Sequence, residues 1–409
     1  MKKLLIGLLA LGLVFSFSVP VMASDFSVSG AYRIRGWLDS NSPLTKDNPV
    51  SEAYYDQRLR IQPMFQVVDG LKVTCRFDAL DGTWGGDLRG PKADVDGGSG
   101  DGAINLDANV QFDKAFVTFM TAYGQVEAGF KSTNVWGTGF GNIESFVGEI
   151  DFQTKLSEDV GVLFRAEKDV EGDIGFDSAD KDQDAYIAAA VYNKDGIEAG
   201  MLYKYVRNAG TDTGNFEGTP VVDHYLQTVH ILSPYVKATL GPAYVEGQIY
   251  YGTGEIEMDD FAKTMLAQED KDLQHLMLYV MAKGDVGPGY VGGMFAYSEG
   301  DDKADNDIKG SIFKGSDWNP CHILFNDTEP SSVGTYGATS GNFQNVYLFQ
   351  VFAGMSPMEK LALKASFTYA YADENQDYVD DIPWASAISS PAISTRLTTR
   401  TTRSTTPIC

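Results

Sequence analysis

Residues 54–75, YYDQRLRIQPMFQVVDGLKVTC, carry cations at alternate places in two short runs: Arg58 and Arg60, then Lys72, with Arg76 following in the same phase. Side chains of an extended chain alternate between two faces. These cations therefore share one side, and Leu59, Ile61, Val73, Cys75 and Phe77 share the other. Arg33 and Arg35 repeat the pattern against Tyr32 and Ile34. A row of fixed cations suits electrostatic work: lining a watery space, binding anions, or facing carboxylates across a gap.

Covalent chemistry has weaker candidates. Histidine occurs four times, as His224, His230, His275 and His322. Asp223–His224 has the residue types of an acid–base pair, but one dipeptide builds no site, and no Ser–His spacing stands out. His224 and His275 are read as rim or wall residues of strands, and no enzyme is expected. Acidic clusters recur at DVDGGSGDG from 94, DSADKDQD from 177, DDKADND from 301 and DENQDYVDD from 373. Asp180, Asp182 and Asp184 have the every-second spacing of a calcium loop. Ala185, however, stands where that loop needs glycine, and Val191 where it needs glutamate. Solvated charge is the expected role, and no cofactor is called for. The three cysteines, Cys75, Cys321 and Cys409, form neither a disulfide scaffold nor a zinc spacing.

The elements that must position these residues follow from composition and period. A formal net charge of −24 argues against nucleic acid, which needs clustered Lys and Arg. Glycine at 43 residues, with 23 Phe and 21 Tyr, is a turn-rich β composition. Residues 1–23 have a basic start (Lys2, Lys3), an apolar stretch LLIGLLALGLVFSFSV and a small-residue site at Val21-Met22-Ala23. They are read as a cleaved signal peptide, whose loss of two lysines takes the charge from −24 to −26. No later stretch approaches the run of about 18 apolar residues that a transmembrane helix needs.

From residue 24 the period is 2 nearly throughout. Phe26, Val28, Tyr32, Ile34 and Leu38 alternate with Ser27, Ser29, Arg33 and Arg35, and Leu361 to Tyr371 alternates with Lys364, Ser366 and Thr368. Connections alternate in length. Seven are short (68–70, 121–124, 157–159, 193–196, 239–242, 284–288, 356–360), and those between them are long, up to 300–342. Fifteen strands, seven tight turns and eight long excursions describe an antiparallel meander with two different ends. A strand of about ten residues with one apolar face spans a bilayer when its backbone pairs on both sides, and its other face then lines water. A soluble β-sandwich would instead show Greek-key crossovers and shuffled connection lengths. Pro63 cannot donate to a ladder, so a bulge or a pairing that leaves its nitrogen side free is expected there, and a bulge is expected at Lys114–Ala115, where the apolar phase slips by one. Residues 259–268 read as a short helix capped by Asp259 or Asp260.

With its signal peptide, a strand beginning at once after it and the short-turn, long-loop rhythm, the chain resembles Gram-negative outer-membrane porins over residues 24 to about 373, within a barrel domain read as 24–381. That resemblance implies a 16-stranded transmembrane up-and-down β-barrel, about 15 of whose strands are recognisable here. It further implies a homotrimer in outer-membrane lipid and lipopolysaccharide, passing small hydrophilic solutes and ions by diffusion. A selective anion or oligosaccharide channel, using Tyr244 and Tyr250 as an aromatic slide, and a non-conducting structural barrel are the rivals. The pore lining is expected at Arg33, Arg35, Arg58, Arg60, Lys72 and Arg76. By the same resemblance the third long loop, 131–150, folds inward. Gly137, Gly139 and Gly141 permit the bend, Trp136 and Phe140 constrict, and Glu144 and Glu149 oppose the lumen cations. The loop lacks the family's Pro-Glu-Phe-Gly-Gly signature. In the loop 300–342, Ile323, Leu324 and Phe325 beside Trp318 form an apolar patch expected to pack into the mouth or against a neighbouring subunit.

Residues 382–409 depart from all of this. The stretch IPWASAISSPAISTRLTTRTTRSTTPIC has neither acid nor glycine, and Cys409 stands where the family ends in an aromatic. A reading-frame shift accounts for it: with suitable codons, residues 397–406 read in another frame become Tyr-Asp-Lys-Asp-Asn-Gln-Ile-Tyr-Asp, like the acidic loops elsewhere. Sequencing the gene tests this, and an intact frame encoding this tail refutes it.

Overall fold

The structure, a computed structural model, describes residues 25–40, 51–84, 110–133, 135–141, 145–171, 182–209, 215–216, 219–220, 225–265, 267–301, 307–310, 312–313, 318–320 and 343–374. The signal-peptide and tail segments, with Glu144, Asp180, His224, His322 and the Ile323–Phe325 patch, lie outside the described residues.

Alternation dictates strands, and strands are what form. They are β1 (Phe26–Ser40), β2 (Ser51–Val68), β3 (Leu71–Thr83), β4 (Val110–Met120), β5 (Gln125–Ser132), β6 (Phe146–Lys155), β7 (Val160–Val170) and β8 (Gln183–Lys194). The series continues with β9 (Ile197–Asn208), β10 (Tyr225–Leu240), β11 (Ala243–Met258), β12 (Lys271–Val286), β13 (Gly289–Ser298), β14 (Val346–Met358) and β15 (Leu361–Ala372). Each pairs antiparallel with its neighbours in sequence, so the sheet is a meander without Greek-key crossovers. The sheet's sixteenth strand is the two-residue Ile308–Lys309, which runs parallel to β12 at Leu273–Gln274. The path starts at β1 and ends at β15, and among the described residues no ladder joins the two. With directions alternating over fifteen strands, β1 and β15 run the same way.

Six of the seven tight connections hold the glycine, proline or aspartate expected of turns, from Asp69–Gly70 to Gly287–Pro288, and the seventh is Glu359–Lys360. Gly70 and Gly196 take φ values of 78° and 79° there. The expected helix is α1 (Asp260–Met265). Asp259 caps it, its Oδ1 accepting from Ala262 N–H at 2.8 Å, while Asp259 O accepts from Lys263 N–H at 3.0 Å.

Register fixes which side chains share a face. Arg58 stands opposite Arg33, Arg60 opposite Asp78, Arg76 opposite Lys114 and Asp151 opposite Arg165, and the same phase continues round to Gln248, Met277 and Leu348. That face is buried: Arg76 is 2% exposed, Asp151 0% and Glu149 3%. The opposite face carries exposed apolar side chains, among them Phe112, Ile150, Phe164, Tyr186, Val351 and Phe367. At the long-loop end of β13–β15 it bears a band of rings, with Tyr297 4.6 Å from Tyr347 and Tyr347 5.0 Å from Tyr371 between centroids.

The phase slip in β4 is a bulge: Arg76 pairs with Lys114 and Phe77 with Phe112, leaving Asp113 as the extra residue. Pro63 causes none. It pairs with Val28 in β1, and the β2–β3 ladder skips from Ile61↔Phe77 to Met64↔Thr74 in unbroken register. Of the two outcomes open to a mid-strand proline, a pairing that spares its nitrogen is the one adopted.

Candidate functional site

The buried face divides into a charged half, on β1–β9, and an aromatic half, on β10–β15. The expected arginines are together, each beside an aspartate. Arg35 Nε lies 3.0 Å from both carboxylate oxygens of Asp56, and its Nη2 lies 2.8 Å from Oδ2. Arg33 Nη2 is 3.9 Å from the same carboxylate, and Arg58 Nη1 is 3.8 Å from Asp78. Arg60 grips Asp78 with Nε at 2.7 Å and Nη2 at 2.8 Å, a fork-to-fork pair, and reaches Asp113 at 3.0 Å. Arg76 Nε meets Asp113 from the other side at 3.1 Å. The bulge is what turns Asp113 inward to serve both. Lys72 faces the same way nearer the tight turns, opposite Thr118.

A second network sits on β5–β9. Lys131 Nζ lies 2.6 Å from Glu127, 2.9 Å from Glu149 and 2.6 Å from Asp151. Arg165 reaches Asp151 at 2.6 Å, Glu149 at 3.3 Å and Glu167 at 3.5 Å, and Lys204 closes the row on Glu167 at 2.6 Å. Charges this deeply buried persist only when paired, because desolvating a lone ion costs several kcal/mol. Glu149 therefore differs from the expectation of a loop acid opposing the arginines of β1–β3. It is a wall residue of β6, and its partners are Lys131 and Arg165.

The 133–145 loop leaves β5 and attaches far across the sheet, on β10 and β11. Gln248, 2% exposed, does most of the holding. Its Oε1 accepts from Thr138 N–H at 2.9 Å and Thr138 Oγ1 at 2.7 Å, and its Nε2 donates to Trp136 O at 3.0 Å and Ser233 Oγ at 3.1 Å. Both donors and both lone pairs of the amide are used. The Trp136 indole N–H donates to Ser233 O at 2.8 Å, and its ring meets Tyr235 edge-on at 5.1 Å. Gly137 has φ +71°, and a Cβ there would stand 2.7 Å from Cγ of Tyr235, so the crossing needs glycine.

Phe140, 1% exposed, ends that crossing in a cluster of rings: stacked on Tyr279 at 5.2 Å, edge-on to Trp318 at 4.9 Å and to Phe343 at 5.9 Å. Trp318, Phe313 and Phe343 come from the long segment between β13 and β14, whose described residues thus reach this cluster, while the Ile323–Phe325 patch expected in the mouth or against a neighbouring subunit lies outside the described residues. His275, fully buried, fastens this segment: its Nδ1 accepts from Phe313 N–H at 3.0 Å, and its Nε2 lies 3.0 Å from Ser298 Oγ. Tyr250 faces the cluster, its ring 6.3 Å from that of Phe140, while Tyr244 hydrogen-bonds Glu246 at 2.7 Å nearer the tight turns.

The calcium candidates meet an ammonium. Lys168 bonds Asp182 and lies 3.0 Å from Asp184, and Asp180 lies outside the described residues. Among the described residues no group of three or more His, Cys, Asp or Glu is placed to hold a metal ion.

Reading the sequence missed Asp56, Asp78, Asp113, Lys131, Arg165 and Gln248. The first two carried a signal: Asp56 is in phase with Arg58 and Arg60, and Asp78 with Arg76.

No family model matches the chain, and no curated protein matches it in sequence. Solved structures match it in fold. OmpT of Vibrio cholerae in its trimer form is 12% identical, with 86% of this chain and 89% of that one covered and a TM-score of 0.42. OmpF of Salmonella typhi in complex with daunomycin is 10% identical over 86% and 92%, at 0.46. A porin structure is 13% identical over 85% and 94%, at 0.40. The likeness is one of strand arrangement and assigns no activity.

Proposed function

We propose that the chain is an outer-membrane β-barrel channel, passing small hydrophilic solutes and ions passively through a watery interior narrowed by the 133–145 loop. The observation that supports this reading best is the inversion of faces. Asp151, Glu149 and Arg76 are buried, while Phe367 is 69% exposed and Ile150 60%. Water would favour the opposite arrangement. Hydrocarbon outside and water inside favour this one, and consecutive antiparallel pairing satisfies the backbone without help from solvent. Arg33, Arg35, Arg58, Arg60, Lys72 and Arg76 line the conducting side, and their aspartates temper its charge. Export through a cleaved signal peptide, contact with lipid and lipopolysaccharide, and a homotrimer belong to the same reading. It assigns the chain no catalysis.

A substrate-selective channel is the second reading, favoured by the rings of Phe140, Trp318 and Phe343, which occupy the interior between β10 and β14. Reconstitution in a planar bilayer tests both. Large ohmic conductance indifferent to added solute supports the general pore, and block by one class of solute supports selectivity. A protein recovered from the aqueous phase, with no conductance in bilayers, refutes both.

A further inference from the structure

The segment between β13 and β14 is held inside by the same kind of device as the 133–145 loop. β13 pairs with β12 only as far as Ser298, opposite Met277. Past that point Ile308–Lys309 takes up the edge of β12 at Leu273–Gln274, and Gly310 N–H donates to Gln274 O at 2.9 Å. Gly310, at φ +67°, turns the chain inward. Ile312 and Phe313 lie over Gly252 of β11, where a Cβ would stand 2.9 Å from Cδ1 of Ile312 and 3.1 Å from Cζ of Phe313. The Phe313 backbone is gripped from both sides: its N–H by His275, and its carbonyl by Gln344 Nε2 at 2.9 Å. Further in, Pro320 O accepts from Gln350 Nε2 at 2.9 Å, and the same amide donates to Thr368 Oγ1 at 2.8 Å. Gln350, 4% exposed, thus does on β14 what Gln248 does on β11. From Leu273 to Tyr279, whose ring meets Trp318 at 5.4 Å, the strand rises about 20 Å. The described residues of this segment therefore reach from the long-loop rim to the middle of β12.

The two inner segments meet at one ring. Trp318 lies edge-on to Phe140 and to Phe343, each at 4.9 Å. Phe140 belongs to the loop, Trp318 and Phe343 to the β13–β14 segment, and Tyr279 to the wall. The wall gives Phe140 its stacked neighbour, Tyr279, but both of its edge-on partners come from the other segment. Were the two to dock independently, each would have to bury its rings against the wall alone. The contacts run otherwise. A ring that exchanges a neighbouring ring for water loses apolar burial and the edge-to-face attraction together. Each segment thus completes the seat of the other, from opposite latches at Gln248 and Gln350.

We infer that the 133–145 loop and the β13–β14 segment dock as one unit, joined at Phe140 and Trp318, and that Trp318 sets the size of solute the interior admits. The inference deepens the channel reading and rests on it for what passes, but docking is measurable without conduction. The test is hydrogen exchange of the full chain folded in detergent micelles, each variant first checked for a native β-sheet spectrum. Two amides report: Gly141 N–H on the loop and Phe313 N–H on the segment. Trp318→Ala should lower protection at Gly141 about fivefold, the worth of one ring pair. Phe140→Ala should lower it at Phe313 by a similar factor. Trp318→Phe should keep most of the protection at Gly141, and Gln66→Ala should alter neither amide. In bilayers Trp318→Ala should admit larger polyethylene glycols to the current path than the parent does. Unchanged protection at Gly141 in Trp318→Ala, or at Phe313 in Phe140→Ala, overturns the joint unit, and an unchanged polymer limit overturns the role of Trp318. If Trp318→Ala loses the native spectrum, Phe140→Ala decides the first question and Trp318→Phe, with its smaller ring, the second. Cross-protection without bilayer conductance would sink the channel reading alone, and conductance without cross-protection would sink the joint unit alone.

Discussion

Gln248→Leu should release the crossing loop. The substitution keeps the side chain's bulk and removes three hydrogen bonds to the loop: those to Thr138 N, Thr138 Oγ1 and Trp136 O. At about 1 kcal/mol net each, the docked loop loses about 3 kcal/mol. Since 1.4 kcal/mol is about tenfold, the undocked fraction rises about a hundredfold. The Trp136–Ser233 bond and the Phe140 ring contacts remain, so the loop should still dock most of the time, opening more often. Hydrogen exchange of the 135–141 peptide reads this directly, because local opening sets the rate of exchange. Gly141 N–H is the informative amide: its hydrogen bond, 3.0 Å to Thr138 O, is not one of those that Gln248 makes. Protection there should fall about a hundredfold, against no change in Gln66→Ala at an exposed strand end. Bilayer current should show the same change as more frequent steps to a higher level. Protection within threefold of the parent, with unaltered current noise, would refute the idea that this amide latches the loop.

Ile150→Arg, on the exposed face in the middle of β6, should cost about 2–4 kcal/mol in denaturant titrations of liposome-folded protein, as a guanidinium in hydrocarbon does. Unchanged stability there would show that this face meets water. Asp113→Asn leaves Arg60 and Arg76 sharing no carboxylate at the bulge, so the reversal potential in a salt gradient should move toward anion preference. A shift toward cations would mean that the charged wall does not border the ion path. In the 259–270 connection, the hydrogen bond from Lys263 lowers the Asp270 carboxyl and raises the Lys263 ammonium. A lowered acid stabilises above its ordinary value near 3.8 and loses that contribution as pH falls through the lowered one. A raised base stabilises below 10.5 and loses it as pH climbs through the raised value. Exchange in the 259–270 peptide should accordingly be slowest, relative to intrinsic rates, between those limits, and Asp270→Asn should flatten the profile.

What was legible in the sequence was what repeats at short range. Period-2 alternation and paired turn residues such as Asp69–Gly70 placed the strands, and the slip at Lys114 located a bulge before its extra residue, Asp113, had any role. What escaped was set by contacts between residues far apart. Gln248 looks like any polar residue on an inward face, and its partner Thr138 is 110 positions away. Phe313 and Phe343 come from an aperiodic segment and gain meaning only where Phe140 and Tyr279 meet them. The electrostatic expectation missed for a physical reason. Arginines on β1–β3 were expected to face loop acids across a gap, but a carboxylate in phase on the same strand or one ladder step away reaches a guanidinium with less chain ordered. Asp56, Asp78 and Asp113 take those places. The local pairs therefore turn the strongest fields along the wall, and the charges of β5–β9 are paired within their own network at Lys131 and Arg165. In the proposed channel, selectivity depends on the small imbalance each network leaves, which is why one carboxylate at the bulge should move it.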